Sequence, residues 1–241
     1  MLYVLLAAYN EEQNLPGMFA DIQKERWPFD YRIIVVNDGS TDGTHRTAAA
    51  YTAQFPLTII DHDRNQGLGA ALRTGFSYLN SAMSDTDVAV VLDADNSHPI
   101  DTIRTMLNTI DSGCDLVIAS RYNAGSGQKG LSVHRRLLSL GARLFLTLLW
   151  PIPHVTDYSC GFRMYRGSLI KALFATHGNA CIEEHGFAAT VEILLKASRL
   201  TQNIAEVPMV LRYDKKIGAS KMRVCKTMAR YFALLFRLRH I

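Results

Sequence analysis

The sequence has few cysteines and spaces them widely, which removes two architectures at once. Cys114, Cys160, Cys181 and Cys225 form no C-x-x-C pair, so neither a zinc site nor a disulfide framework is suggested. Reduced thiols in a cytosolic setting are expected. No apolar run approaches the roughly 20 residues that cross hydrocarbon. The longest, 137–150, is interrupted by Ser139, Arg143 and Thr147. The apolar opening, residues 1–8, lacks a basic leader and runs straight into Asn10-Glu11-Glu12, so it is expected to be a first strand and not a signal peptide. The loop that follows lacks G-x-G-x-x-G, which disfavours nicotinamide and flavin cofactors. Repeats and low-complexity linkers are also missing.

What is present is ordinary globular composition: 241 residues, 48% hydrophobic and 20% charged, enough for one large domain. Apolar stretches at 2–7, 31–36, 57–61, 88–92 and 115–119 read as strands. Helical stretches at 12–25, 42–53, 68–83 and 99–111 alternate with them. Strands separated by helices make βαβ units, so an α/β fold with a Rossmann-like, mostly parallel central sheet flanked by helices is predicted.

The chain is organised around the fourth of these strands, Val88 to Leu92, and the loop Asp93-Ala94-Asp95-Asn96-Ser97-His98-Pro99. Pro99 suits the first turn of a helix, which puts both carboxylates at the strand end, the ligand edge of an open α/β sheet. One residue apart on extended backbone, Asp93 and Asp95 point the same way. Such a pair is balanced by solvent, by a nearby Lys or Arg, or by a hard divalent cation that also holds phosphate oxygens. The second strand ends in Asn37-Asp38-Gly39-Ser40. There Asp38 can meet ribose hydroxyls or a base edge, and the following Ser and Thr residues equally suit an Asx-turn and helix cap. The loop from Asn65 to Ala71 is only weakly like a phosphate cradle, and close helix-to-sheet packing is expected of Gly67, Gly69 and Gly75.

Tyr9-Asn10-Glu11, Asn37-Asp38-Gly39-Ser40, Asn65 to Ala71 with Gly75, Asp93-Ala94-Asp95-x-Ser97-His98-Pro99 and Ser120-Arg121-Tyr122 stand in this order at strand ends. Together they resemble the inverting family 2 glycosyltransferases of GT-A fold, most closely the dolichol-phosphate mannose synthases and bacterial polyprenol-phosphate glycosyltransferases. The resemblance covers nearly the whole chain and implies a set of roles. Tyr9, Glu11 and Asp38 would hold the donor nucleoside. Asp93 and Asp95 would bind Mg²⁺ or Mn²⁺, with Ser97 as a weak or water-mediated further ligand. Arg121, Arg135 and Ser139 would bind the acceptor phosphate, and Lys215 with Lys221 would close on the donor diphosphate. Glu183 and Glu184 stand where related enzymes carry an acidic base, and they also suit the acidic first turn of a helix over 187–199. Ala7 and Lys215 depart from the Pro and Arg usual at their positions.

From Arg212 to Ile241 nine Lys or Arg face a single acid, Asp214. Val224, Met228, Tyr231, Leu235 and Leu238 recur at helical spacing with Lys226, Arg230 and Arg237 off that stripe, so a basic amphipathic helix is expected. No nucleic-acid motif accompanies the charge, and a membrane surface is the better partner. The helix at 137–150 is expected to lie on one leaflet or, alternatively, in the core. One domain is predicted, with a nucleotide-sugar half at 1–120 and an acceptor half at 121–241 bearing membrane-surface helices. The resulting reading is peripheral on the cytosolic face of a membrane, with a nucleoside-diphosphate sugar donor, a polyprenyl phosphate acceptor and no nucleic acid. A separate membrane-anchoring subunit stays open. So do two rival functions: transfer to a hydroxyl with Glu183 or Glu184 as base, and a non-catalytic nucleotide-sugar-binding module.

Overall fold

The computed structural model describes residues 1–25, 27, 29–218 and 224–238, with the side chains of 133–138 and 224–226 left aside. β1 (Leu2–Ala8) is buried along nearly its whole length. A strand without polar alternation is stable only between two covered faces. β1 accordingly lies inside the sheet, parallel to β2 (Tyr31–Asn37) on one side and to β4 (Val88–Asp93) on the other, with β3 (Leu57–Asp61) beyond β2. Helices α1 (Leu15–Lys24), α2 (Thr44–Ala49) and α3 (Leu68–Ala82) link these strands. The strand order reverses at β1, which is where open α/β sheets form their ligand crevice. Register fixes its contents, because Ala8 pairs with Asn37 and Ala7 with Asp93. The loops bearing Tyr9, Asp38 and Asp95 therefore leave the sheet side by side.

Beyond β4 the chain departs from simple winding. α4 (Thr102–Asp111) leads to β5 (Leu116–Ser120), and the later strand β7 (Arg163–Arg166) inserts antiparallel between β4 and β5. β8 (Ile204–Pro208) completes a seven-stranded sheet of order β3-β2-β1-β4-β7-β5-β8. β6 (Gly127–Lys129) and β9 (Val210–Arg212) form a separate parallel pair. The predicted α/β architecture is present, with one sheet built from both halves of the chain.

Three helices are shorter than their sequence patterns. The first starts at Leu15, not residue 12, because Asn10 adopts a left-handed φ of 52° and the Glu11 N–H is taken by Thr44 Oγ1 at 2.8 Å. The second covers 44–49, after which the chain turns to bring Phe55 against Phe19, ring centroids 5.5 Å apart. The fourth begins at Thr102, because Pro99 and Ile100 form a lead-in turn, their carbonyls accepting from the N–H groups of Thr102 and Ile103. Gly75 packs on Leu5 of β1 as expected of helix-to-sheet contact. Gly67 and Gly69 do not meet the sheet; they meet the carbonyls of His185 and Glu184, where any Cβ would collide.

The second half adds α5 (Val133–Leu149), α6 (Gly167–His177), α7 (Ala188–Ala197) and α8 (Val224–Leu238). α8 buries Tyr231, Leu234, Leu235 and Leu238, an i, i+3, i+4, i+7 stripe. Its opposite face leaves Phe232 and Phe236 exposed, and α5 likewise exposes Leu140, Leu144, Leu148 and Leu149. The two helices touch through Phe145 and Phe232, centroids 4.2 Å apart. No described helix is long and apolar enough to cross a membrane.

Candidate active site

Two adjoining cavities open at the strand ends, one of about 240 Å³ and one of about 570 Å³, and Leu68, Phe187 and Thr227 belong to the walls of both. The smaller brings together Glu11, Asp93, Asp95, Ser97, Arg121, Ser139 and Lys216, and the larger holds Tyr9 and Asp38. Six residues expected at one site, from three strand ends and helix α5, thus line one cavity. Glu11, expected beside Tyr9 and Asp38, lies with the aspartates, where its carboxylate accepts from Asn14 Nδ2 at 2.6 Å.

At the acidic end, Asp95 is buried and receives both the N–H (3.0 Å) and the hydroxyl (2.5 Å) of Ser97 on Oδ1. In this arrangement Ser97 orients a carboxylate. Lys216 Nζ binds the other oxygen, Oδ2, at 2.5 Å. Burial alone would push the Asp95 carboxyl up, but the ammonium of Lys216 outweighs it and the group titrates below the usual carboxylate range. Asp93 is pushed the other way, chiefly by burial and also by the neighbouring charge of Asp95, against an opposing pull from His98. His98 accepts the Asp93 N–H on Nδ1 at 3.2 Å and stacks on Phe162, which fixes the turn between strand and loop.

Lys216, not Lys215, is therefore the cation at the aspartates. Lys215 Nζ lies 3.6 Å from Asp21 of α1 and does not line the cavity, a correction to the expected donor-phosphate pair. The physical reason is the strap itself: Ile217 exchanges two hydrogen bonds with the Asn14 side chain, which turns adjacent lysines to opposite sides. Lys221 lies outside the described residues.

Elsewhere in the same wall, Arg121 donates from Nε and Nη2 to the two oxygens of Asp157, both at 2.7 Å, and from Nη2 to Ser159 at 2.8 Å. Asp157 is fully buried and also accepts the N–H groups of Arg121 and Cys160. Burial opposes both charges, yet the bidentate pair wins: the arginine is held charged and the Asp157 carboxyl well below its ordinary range. Behind it, Glu206 of β8 accepts from the N–H groups of Thr156 and Asp157 and so fixes the loop. Arg121 Nη1 has no acceptor among the described residues. Ser139 shares a 2.7 Å hydrogen bond with Tyr122, and Arg143 stacks over the Tyr122 ring at 4.6 Å. The Arg135 side chain lies outside the described residues. Cys160 also lines the cavity, its thiol pushed up to about 12 by burial and thus inert.

Asp38 is buried with all four acceptor positions in use: His62 and the Gln66 N–H on Oδ1, Asn65 and the Gly67 N–H on Oδ2, at 2.7 to 3.0 Å. It shapes the third loop, and in this conformation it has no acceptor position left for a ribose.

Glu183 and Glu184, expected as bases, line neither cavity. Glu184 is buried and paired with Arg230 (3.0 Å) and Arg237 (3.3 Å) of α8. Glu183 lies 3.3 Å from Lys196. On the polar side of α8, Arg230 and Arg237 are partly exposed and also reach the buried carboxylates of Glu184 and Glu192. Thr227, Met228, Tyr231 and Lys216 also line the cavity, and none of them was expected at the site.

Among the described residues no three His, Cys, Asp or Glu side chains converge as a metal cage. The two aspartates still suit a hard cation that keeps waters and substrate oxygens as its other ligands, as Mg²⁺ does. A cation, the Lys216 ammonium, is already drawn to Asp95.

The sequence profile described as glycosyl transferase family 2 matches residues 3–174. A dolichol-phosphate mannosyltransferase of Pyrococcus furiosus is 30% identical over 236 residues, covering 98% of this chain but only 62% of the relative's length. A polyprenol monophosphomannose synthase of Mycolicibacterium smegmatis is 28% identical over 221 residues, 91% of this chain and 80% of the relative. In fold, the chain is similar to glucosyl-3-phosphoglycerate synthase from Mycobacterium tuberculosis, crystallised with Mn²⁺, uridine diphosphate and glucosyl-3-phosphoglycerate. The TM-score is 0.72 at 20% identity, over 98% of this chain and 79% of that one.

Proposed function

The chain belongs to glycosyl transferase family 2, and from that premise we propose that it moves a sugar from a nucleoside-diphosphate sugar to a polyprenyl phosphate, with inversion at the anomeric carbon. The observation that carries this reading is one cavity lined both by an acidic pair suited to a cation, Asp93 and Asp95 with Lys216 beside them, and by phosphate-suited donors, Arg121 and Ser139. The donor's base and ribose would occupy the larger cavity beside Tyr9, its loop shaped by Asp38. Asp93 and Asp95 would hold Mg²⁺ or Mn²⁺, which supplies Lewis-acid stabilisation of the leaving diphosphate. Lys216, freed from Asp95, would take up diphosphate charge.

A phosphate monoester acceptor has its second pKa near 6 and is mostly ionised at neutral pH, so it attacks without a strong general base. That matches a cavity whose expected bases are tied up outside it, Glu184 by two arginines of α8 and Glu183 by Lys196 of α7. Arg121, locked on Asp157 through one edge, keeps Nη1 for an acceptor oxygen. The exposed leucines and phenylalanines of α5 and α8 would seat this acceptor end on a lipid surface, with residues 1–120 serving chiefly the donor and 121–241 chiefly the acceptor. Peripheral placement on the cytosolic face, with or without a separate anchoring subunit, follows from a lipid-phosphate acceptor. Incubating purified protein with GDP-mannose and UDP-hexoses, Mg²⁺ or Mn²⁺ and a short polyprenyl phosphate should yield a glycolipid by mass spectrometry. Sugar transferred only to hydroxyl acceptors would contradict the reading.

A further inference from the structure

We infer that Arg230 of α8 is a ligand of the donor nucleotide, gripping its ribose-proximal phosphate, and that Glu184 is the positioning residue that aims it. The inference rests on the nucleotide-sugar reading above. Among the described residues Arg230 is the single Lys or Arg in the wall of the larger cavity, which Tyr9 and Gly67 also line. Asp38, the acid in that wall, has both oxygens committed to four hydrogen bonds within its own loops and is not a partner of Arg230.

The position along the helix says which part of the donor it meets. Thr227 lines both cavities, and Arg230 follows it by one helical turn on the same face. Arg230 thus stands in the larger cavity, one helical turn from the seam that Thr227 marks. A nucleoside diphosphate with its base in the larger cavity and its sugar end at Asp93 and Asp95 must carry its phosphates across this seam.

The guanidinium is held ready from behind. Glu184, 3% exposed, takes Arg230 Nη1 on Oε2 at 3.0 Å and Arg237 on Oε1 at 3.3 Å. Glu192, fully buried, accepts the N–H groups of Glu183 and Glu184 at 2.9 and 2.8 Å, and pairs with Lys196 (2.8 Å) and Arg237 (2.9 Å). This frame engages one N–H of Arg230, and the rest of its fork meets no acceptor among the described residues. A planar fork with free N–H groups beside a polar cavity suits a phosphate, which it can hold by two parallel hydrogen bonds.

The test measures binding in EDTA, so that no metal contributes, using uridine, UMP and UDP and the guanosine series. For the base that the wild type prefers, Arg230→Ala should lower affinity for the monophosphate about tenfold, the scale of a hydrogen bond to a charged group. Affinity for the nucleoside should stay within about twofold. Arg230→Lys should recover part of the loss. Glu184→Gln, which keeps the shape and loses the charge, should raise the donor KM and leave kcat near the wild-type value. Circular dichroism checks that each variant is folded. Equal losses for nucleoside and monophosphate would make Arg230 a structural pin of α8 and overturn the assignment. So would an unchanged monophosphate affinity in Arg230→Ala. A wild-type chain that binds none of the six ligands in EDTA, and none when Mn²⁺ is restored, would remove the nucleotide-sugar reading itself.

Discussion

Two buried carboxylate–cation pairs face the same cavity, and they are built differently. Asp157 meets Arg121 through both oxygens, accepts two backbone N–H groups besides, and sits on a loop fixed by Glu206. Asp95 has its second oxygen held by one monodentate lysine, carried on a short strap between β9 and α8. A bidentate, fully desolvated pair resists exchange because breaking it strands a buried charge. A single ammonium on a flexible stem exchanges readily. The first pair is permanent scaffolding that presents an arginine edge, and the second leaves Asp95 available to another cation.

Breaking the exchangeable side at its carboxylate should have the largest effect. Asp95→Ala removes a proposed metal ligand and should lower transfer roughly a thousandfold with the fold intact, because several kcal/mol of charge stabilisation are lost. The measurement is initial rate with circular dichroism as control, and near-wild-type transfer in excess chelator would remove the metal from the account.

Breaking the permanent side should register as stability. Asp157→Asn leaves Arg121 buried without its charge partner and should cost about 3–5 kcal/mol in urea unfolding at pH 7. The sign with pH follows from the depressed Asp157 carboxyl. A group whose folded pKa lies below its unfolded value of about 3.9 contributes fully above that value and loses the contribution as pH falls through the folded pKa. The gap between wild type and Asp157→Asn should therefore be constant from pH 7 to 5 and shrink only below about pH 4.

Lys216→Met sharpens the comparison without breaking either carboxylate. With the competing ammonium gone, Mn²⁺ should bind the donor-free protein more tightly, by about tenfold, while nucleoside-diphosphate affinity falls by a similar factor. Titration followed by electron paramagnetic resonance reads the first effect. Weaker Mn²⁺ binding would show that Lys216 assists the cation site.

A smaller effect concerns the surface. Arg230 and Arg237 are already paired with buried carboxylates, so lipid contact should rest on Leu144, Leu148, Phe232 and Phe236 more than on charge. Co-sedimentation with anionic liposomes should fall only modestly as salt rises, and Leu144→Ser with Leu148→Ser should reduce it more than salt does. Binding abolished by salt alone would restore the electrostatic reading.

What could be read beforehand and what could not differ by range along the chain. The strands, their parallel winding and the convergence of Tyr9, Asp38, Asp93 and Asp95 follow from local patterns, because buried strands are continuous apolar runs and their ends carry the loops. The antiparallel insertion of β7 and the partners of Lys216, Arg230 and Glu184 are tertiary facts. Lys216 and Asp95 are 121 positions apart, and nothing in the pair Lys215-Lys216 says which lysine turns inward. Charges at 230 and 237 look like a solvated helix face until the buried Glu184 and Glu192 opposite them are known. Glu184 stands where related enzymes carry an acidic base; here two arginines hold it.

The central claim is that this cavity transfers sugar to an acceptor already carrying negative charge, without a side-chain base. Single-turnover transfer to a short polyprenyl phosphate at saturating donor, compared for Arg121→Ala and Glu184→Gln, tests it most directly. Arg121 would position an acceptor oxygen beside the donor's diphosphate, so Arg121→Ala should lose turnover by roughly two orders of magnitude or more, and Glu184→Gln should retain most of it. An inactive Glu184→Gln beside an active Arg121→Ala would contradict the account and point to a hydroxyl acceptor that needs a base.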